Sequence, residues 1–501
     1  MVAAAHPLAA QAGVEMLERG GSAVDAAIAV QMVLGLVEPE SSGIGGGAFL
    51  AHWSPQERRV RTYDGRETAP AAARAGRFLE DGAPMPFMRA VLSGRSVGVP
   101  GVLRMLELAH RRHGRLPWRE LFAPAIRLAE QGFAASPRLA RVLTAERHLR
   151  DDPAARRIFY SGPIVKNPGY AATLREVAEK GADVFYEGPI ADDIAAAVRA
   201  HGGDMTASDL AAYRAVEREP VCGRYRVWRL CSMGPPSSGG VAVLQILGIL
   251  EHTDFAEAAP ESEKAVHLFA EAAKLAYADR AAHLGDPAFS SIPLRRLLDP
   301  GYLRSRASLI HETAMRRAPP GDREGGTSHL SIVAPDGEAV AMTTTIESSF
   351  GSRIMVRGFL LNNQLTDFDF APGGPNEPGP GKRPRSSMAP TLVFRGGELE
   401  LALGSPGGSA IINYVAKTLV AALDWGLDIQ AAIEVPNFGS RNGPLEIEAG
   451  SRLAALARPL ARRGHLVELR ALQSGLHGVQ RVPGGWRGGA DPRREGIALG
   501  D

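Results

Sequence analysis

Cysteine is nearly missing from this chain of 501 residues, which has two, Cys222 and Cys231. So few exclude a disulfide-built scaffold and a zinc ribbon, since both need sets of cysteines at short spacing. The pair flanks Arg224 to Leu230, which reads as one strand, and a disulfide and two buried thiols fit it equally. Aromatic residues make up 6% of the chain, and the net charge is only +2. With no global field and scattered arginine pairs, nucleic acid is not an expected partner. Nor is a membrane, because the most apolar run, Ala26 to Val37, holds Gln31 and stops at Glu38-Pro39, too short for a bilayer. It reads as a buried helix started by a Ser22/Asp25 capping box. No secretory leader is recognisable at Met1 to Ala5, so the chain as written is expected in the cytoplasm. No spacing of His, Cys, Asp or Glu points to a metal, and no cofactor is expected.

Two near-motifs fail on context. Gly43 to Ala48 matches G-x-G-x-x-A, yet it follows a helix and precedes a strand, Phe49 to Trp53, the reverse of a dinucleotide site. Gly94 to Gly98 matches the G-x-S-x-G of serine hydrolases, but Val99-Pro100 follow where that turn needs a helix. His110 and His113, among arginines, read as a helix terminus meeting its dipole.

With 45% apolar and 22% charged residues, the chain is globular and long enough for a core of two or four layers. Helical patterns fill Gly101 to Arg199, and a long helix, Glu261 to His283, puts Val266, Phe269, Ala273 and Tyr277 on one face. The most informative stretch is Gly325-Gly326-Thr327. Before it, Met315 to Glu324 is charged and rich in Pro and Gly, which predicts a mobile loop. After it, Ser328 to Val333 and Ala339 to Thr345 flank Pro335-Asp336-Gly337 and read as a hairpin. Gly326 leaves the Thr327 hydroxyl free to reach the preceding carbonyl. If the chain breaks there, the new α-amine, with a pKa near ~8, can take the hydroxyl's proton, so nucleophile and base share one residue. Gly-Gly-Thr alone can also simply begin a strand.

Polar company surrounds that strand: Thr343, Thr344, Thr345, Glu347 and Ser348, then Asn362, Asn363, Gln364 and Asp367. A two-residue turn pairs Thr327 with Ile346, and a loop one residue longer pairs it with Thr345; the residues leave both open. Arg66 follows Gly65 at a strand end, where an arginine is usually a surface charge but also suits two-pronged capture of a carboxylate. Gly404 to Ser409 opens a helix without the lysine of a phosphate loop. Its glycines fit tight packing or an oxyanion hole.

The ordered set of Ala4 to Ala9, Gly20 to Ala27, Ser42 to Gly47, Pro235 to Gly240 and Ala490 to Gly496 resembles the γ-glutamyltransferases, N-terminal nucleophile hydrolases. The resemblance implies an α+β fold, a four-layer αββα sandwich. It would be made as one precursor and cut into a large segment, 1–326, and a small one, 327–501, which form one compact domain. By it Thr327 is the nucleophile, Thr345 its hydrogen-bond partner, and Gly407 with Gly408 the oxyanion hole. Arg66, Ser386 and Ser387 would hold a substrate carboxylate, and Gln364 and Asp367 its amino group. Glu347 stands where well-known members carry Asn, and adds negative charge near the amino-group pocket. The stretch from Asp367 to Ser386 is shorter than in members with a lid loop and has no Tyr. Both departures resemble the branch with cephalosporin acylases, poly-γ-glutamate-processing enzymes and small-amide hydrolases. The implied partner is a small γ-glutamyl or related acid amide, and the two fragments would stay associated, as one pair or a dimer of pairs. An inactive scaffold of the same fold is the remaining alternative.

The chain is therefore expected to cut itself between Gly326 and Thr327. Two bands on a denaturing gel, the smaller beginning Thr-Ser-His-Leu-Ser, check this, and Thr327→Ala should leave one uncut, inactive chain.

Overall fold

Strands whose apolar residues face both ways need cover on both sides, and here helices and a second sheet supply it. In the computed structural model, residues 1–315 and 326–500 are described. A seven-stranded sheet runs in the order Ile497–Leu499, Val2–Ala4, Gly326–Val333, Ala339–Glu347, Gly47–Ser54, Arg59–Gly65, Val216–Arg218, all neighbours antiparallel. A six-stranded antiparallel sheet holds Gly485–Ala490, His477–Val482, Glu398–Gly404, Thr391–Arg395, Trp228–Ser232 and Val221–Tyr225.

Side chains alternate across each strand. Ala339 and Ala341 join Trp53, Leu392, Phe394 and Ala402 in a core between the sheets. Val340, Met342, Leu330 and Ile332 face the other way, against helices that include Ala23–Val37 and Val102–His113. On the far side Gly239–Leu250, Glu263–His283 and Ile411–Leu423 cover the six-stranded sheet. The result is the αββα sandwich.

The capping box forms as expected: Asp25 N–H donates to Ser22 Oγ at 3.0 Å and Ser22 N–H to Asp25 Oδ2 at 2.9 Å. The glycine run after that helix has a packing role, since a Cβ on Gly46 would stand 2.1 Å from the Thr345 carbonyl oxygen and one on Gly45 2.1 Å from that of Leu360. Ser96 of the serine-hydrolase near-motif is buried, its hydroxyl donating to the Val91 and Ser93 carbonyls. Among the described residues no helix is long and apolar enough to cross a membrane.

Two expectations change. Arg224 to Leu230 is not one strand but the turn and inner halves of a hairpin, Val221–Tyr225 with Trp228–Ser232, and a disulfide joins the directly opposed Cys222 and Cys231. Arg226 takes the left-handed turn position, φ +53, normally left to Gly or Asn, and the Glu251 carboxylate holds its N–H at 2.8 Å, so no turn signal stands in the sequence. His113 ends its helix, but it stacks on His52 at 3.7 Å, and burial, with the charge of its neighbours, holds its pKa down to about 3. It is neutral and gives the helix dipole no charge. The expected mobile loop lies, from residue 316 on, outside the described residues. Met315 is anchored, its N–H on Glu271 Oε2 at 2.8 Å and its carbonyl on Lys274 Nζ at 3.2 Å.

Candidate active site

The odd-length loop wins at the hairpin: Val333 pairs with Ala339 and Thr327 with Thr345. Its turn closes by Gly337 N–H donating to the Ala334 carbonyl at 3.0 Å, with Gly337 at φ +85. Thr327 Oγ1 then donates to Thr345 Oγ1 at 3.3 Å. The register shifts between Gly326, opposite Glu347, and Thr327. Thus the peptide expected to break sits where the ladder is irregular.

Glu347 ends the partner strand at φ +78, a strained conformation for a residue with a side chain. Its N–H donates to Thr345 Oγ1 at 2.8 Å. Its carboxylate accepts from Ser348 Oγ at 2.6 Å and from Asn363 Nδ2. Burial, then the negative charge of Asp367, pushes its pKa up to about 7 despite those donors.

Across the pocket, Arg66 is no surface charge, being 1% exposed. Its Nε donates to the Pro384 carbonyl at 3.1 Å, and its Nη2 to the Arg385 carbonyl at 3.1 Å and to Asp367 Oδ2 at 2.5 Å. Gln364 Nε2 holds the same Asp367 oxygen at 2.7 Å. Ser387 Oγ accepts from Arg280 Nη2 at 3.0 Å, while the Ser386 carbonyl accepts from Ser238 N–H at 2.8 Å. Gly407 and Gly408 have φ +134 and +54, and a short helical turn at Gly408–Ala410 leads into the helix Ile411–Leu423.

One cavity of about 30 Å³ brings together Thr327, Thr345, Glu347, Arg66, Gln364, Asp367, Ser386, Ser387 and Gly408. Gly407 precedes that wall without lining it. Arg280, Arg385, Met388, Ser409 and Ile411 also line it, and the sequence reading missed them. Arg280 had a signal, for it continues the Ala273–Tyr277 face of the long helix, where a charge interrupts an apolar stripe. A larger chamber of about 470 Å³ shares Glu347 and Asp367 with the first and is walled by Met85, Phe87, Phe368 and Phe370.

Among the described residues one group has ligand-type side chains within reach of a common ion, His267, Glu271 and His465. His267 Nδ1 is bonded to His465 Nε2 at 2.8 Å, and Lys274 Nζ lies 2.7 Å from Glu271 Oε1, so an ammonium already meets the carboxylate. The group does not fit a metal; it holds the segment that ends at Met315. Sequence spacing cannot find it, because His465 lies far from the other two.

A four-layer αββα sandwich with a threonine opening an inner strand, beside a polar pocket, defines the N-terminal nucleophile hydrolase fold. The chain belongs to the gamma-glutamyltranspeptidase family, whose model matches residues 9–501, and it is an enzyme. It is 37% identical to the glutathione hydrolase proenzyme of Bacillus subtilis (strain 168), over 100% of this chain and 91% of that one. It is 35% identical to the acylase ACY 1 proenzyme of Pseudomonas sp. (strain SE83), over 98% and 91%. The cephalosporin acylase structure from Bacillus halodurans superposes with a TM-score of 0.88 at 29% identity, covering 99% of this chain and 94% of that one.

Two outcomes are expected of this geometry. Arg66→Lys keeps the charge but loses the planar fork, so kcat/KM for a carboxylate-bearing amide should fall about 10-fold or more; unchanged kinetics reject the role. Glu347, with its pKa at about 7, is neutral below that pH and a carboxylate above it. The inhibition constant of free glutamate, whose ammonium stays charged throughout, should therefore tighten several-fold from pH 6 to 8. Glu347→Gln should flatten that dependence, and an identical slope in the variant rules Glu347 out.

Proposed function

We propose that this enzyme cuts itself before Thr327 and then uses Thr327 to cleave γ-glutamyl amides, handing the acyl group to water more readily than to an amine. The observation that carries the reading is that one pocket is lined both by Thr327 with Thr345 and by Arg66 with Gln364 and Asp367. A γ-glutamyl group presents an amide at one end and a zwitterion at the other, and this pocket has a hydroxyl for the first and paired opposite charges for the second. The Thr327 amine accepts the hydroxyl proton, Oγ1 attacks the amide carbon, and the oxyanion meets the N–H donors of the Gly407–Gly408 turn. The proton then passes to the leaving amine. Water hydrolyses the ester by the same route in reverse. Relatives named as glutathione hydrolase proenzymes support the substrate class and the self-cleavage.

Preference for water follows from the absence of a cover among the residues that line the Thr327 pocket. The segment after Asp367, though it has no Tyr, does carry rings. Phe368 is buried, however, and Phe370 stacks on Phe78 at 4.5 Å, and both belong to the wall of the larger chamber. Without a closing lid, water reaches the ester and an acceptor is not ordered beside it.

The larger chamber favours a second reading, in which a related acid amide with a bulky apolar portion is the substrate, the same Thr327 chemistry acting on a glutaryl, oxamate-like or polymeric acyl group. Relatives named as acylases support it. An assay separates the readings: γ-glutamyl, glutaryl and oxamyl anilides are compared, with and without millimolar glycylglycine. The γ-glutamyl anilide should be cleaved fastest and yield mainly free glutamate. Dominant γ-glutamyl-dipeptide, with several-fold faster anilide release, overturns the preference for water, and a faster glutaryl or oxamyl anilide overturns the acyl assignment.

A further inference from the structure

The last turn of the chain reaches the nucleophile from behind. Arg494 Nη1 donates to the Thr327 carbonyl oxygen at 3.0 Å, and its Nε donates to the Ser474 carbonyl at 2.9 Å. Its stem lies against Gly475, where a Cβ would stand 2.7 Å from Arg494 Cδ. One residue on, Ser328 Oγ donates to Glu38 Oε2 at 2.7 Å. Glu38 Oε1 in turn meets Arg138 Nη1 at 3.1 Å, and Arg138 also pairs with Glu40. Arg138 N–H closes the loop on Glu495 Oε1 at 2.7 Å. Charged residues from both ends of the chain thus converge on the Thr327 carbonyl and the Ser328 hydroxyl.

We propose that Arg494 is a positioning residue for the nucleophile, gripping the Thr327 carbonyl and holding a fixed positive charge beside the amine that self-cleavage leaves on that residue. The inference rests on Thr327 being the nucleophile. Before cleavage Thr327 is tethered on both sides; afterwards its carbonyl side is its one covalent anchor. A strand's first residue frays unless something holds it, and the ladder just before Thr327 is already irregular. A donor on the carbonyl oxygen fixes the rotation that aims both the amine and Oγ1.

The charge acts separately. A cation beside an amine disfavours the ammonium form, so the amine becomes a proton acceptor at lower pH than its usual value near ~8. Other groups face the same place. Glu38 and Glu40 follow the helix Ala23–Val37, and Arg138 starts the helix Pro137–Ala145. Arg493 and Glu495 flank Arg494, Asp491 lies three residues before it and pairs with Arg493, and Glu347 stands on the partner strand. Arg66, Asp367, Arg280 and Arg385 line the pocket. His329, on the strand of Thr327, and His477 are buried and neutral, His477 with its pKa down to about 4. Glu38 and Glu40, both paired with Arg138, face Arg494 as counter-charges, and burial pushes Glu40 up to about 7; Arg494 is the cation among these groups that bonds the Thr327 carbonyl. Burial and Arg138 hold Arg494 down to about 10, which leaves it charged over the working range.

The test is the pH dependence of kcat/KM on a γ-glutamyl anilide, with self-cleavage read on a gel. Arg494→Gln keeps an N–H donor without charge and should move the acid limb up by about one pH unit. Arg494→Lys should return the limb to the wild-type position. Arg494→Met, losing donor and charge, should shift the limb as Gln does and also lower kcat at the alkaline plateau about 10-fold or more, a comparison that stands if Gln fails to fold. An unmoved acid limb in the Gln and Met variants, or a Lys limb displaced as far as theirs, overturns the charge role. An unchanged plateau kcat in Met overturns the grip. A Thr327→Ala protein that remains active removes the nucleophile reading itself, whatever the Arg494 variants do.

Discussion

The register of one hairpin decides whether this molecule has a site. Thr327, His329, Ser331 and Val333 share the face that looks between the two sheets, as do Thr345, Thr343, Ala341 and Ala339 opposite them. A slip of one residue would turn Thr327 toward the helical layer, where Leu330 and Ile332 pack. The polar ladder beneath the nucleophile makes that slip costly. His329 Nδ1 lies 2.8 Å from Thr343 Oγ1 and its Nε2 3.0 Å from Ser331 Oγ, so a neutral, fully buried imidazole has both nitrogens met in this register. Moving the strand would part His329 from Thr343 and Ser331 from the His477 carbonyl, about 1–3 kcal/mol for each group left unpaired in the core.

The same register places the site at one end of the sandwich. Arg59–Gly65 ends at Arg66, Glu398–Gly404 ends at the turn carrying Gly407 and Gly408, and Ala339–Glu347 ends at Glu347. Strand ends that converge can bring side chains from remote parts of the chain into one cavity, and the strands hold them rigidly. That is why Gly45 and Gly46 matter without touching substrate: they let the preceding loop lie against the Thr345 and Leu360 carbonyls.

Much of this was legible from residue patterns. The capping box, the core helix and the hairpin follow from local rules, and the order of the short motifs resembled the family that the comparisons support. Length allowed two layers or four, and the four-layer answer came through the resemblance. What was not legible is what three-dimensional closure decides. The turn at Arg226 carries no turn residue, because a distant carboxylate stabilises it. His113 looks like a helix-end cation until His52 stacks on it. Phe368 and Phe370 sit in a stretch that reads as linker, yet the neighbouring Phe78 and Phe87 make them a wall. Arg494 announces nothing locally, since it holds the Thr327 and Ser474 carbonyls, and Arg385 reaches the Leu284 carbonyl and Asp369, neither contact being visible in the sequence.

The pairing inside the pocket bears on which acyl group suits it. Arg66 and Asp367 face each other at 2.5 Å, with Arg66 buried, so the pocket's own charges are paired. A ligand must replace that pairing for both members. On the proposed reading a zwitterionic amino acid would do so, its carboxylate taking Arg66 and its ammonium Asp367. A monoacid such as a glutaryl group can take Arg66 only, leaving Asp367 with Gln364 as its remaining donor beside the Glu347 carboxyl. Breaking a buried pair in that one-sided way costs about 3–5 kcal/mol, equivalent to a factor of a hundred or more in affinity. Asp367 is about one-third exposed, so solvent reduces that penalty. Glu347 sharpens it above pH 7, where a second carboxylate near Asp367 raises the cost of a site without an ammonium and lowers the cost of one that holds it. An asparagine at that position would add a hydrogen bond and no pH dependence, whereas the glutamate makes the discrimination between zwitterion and monoacid itself a function of pH.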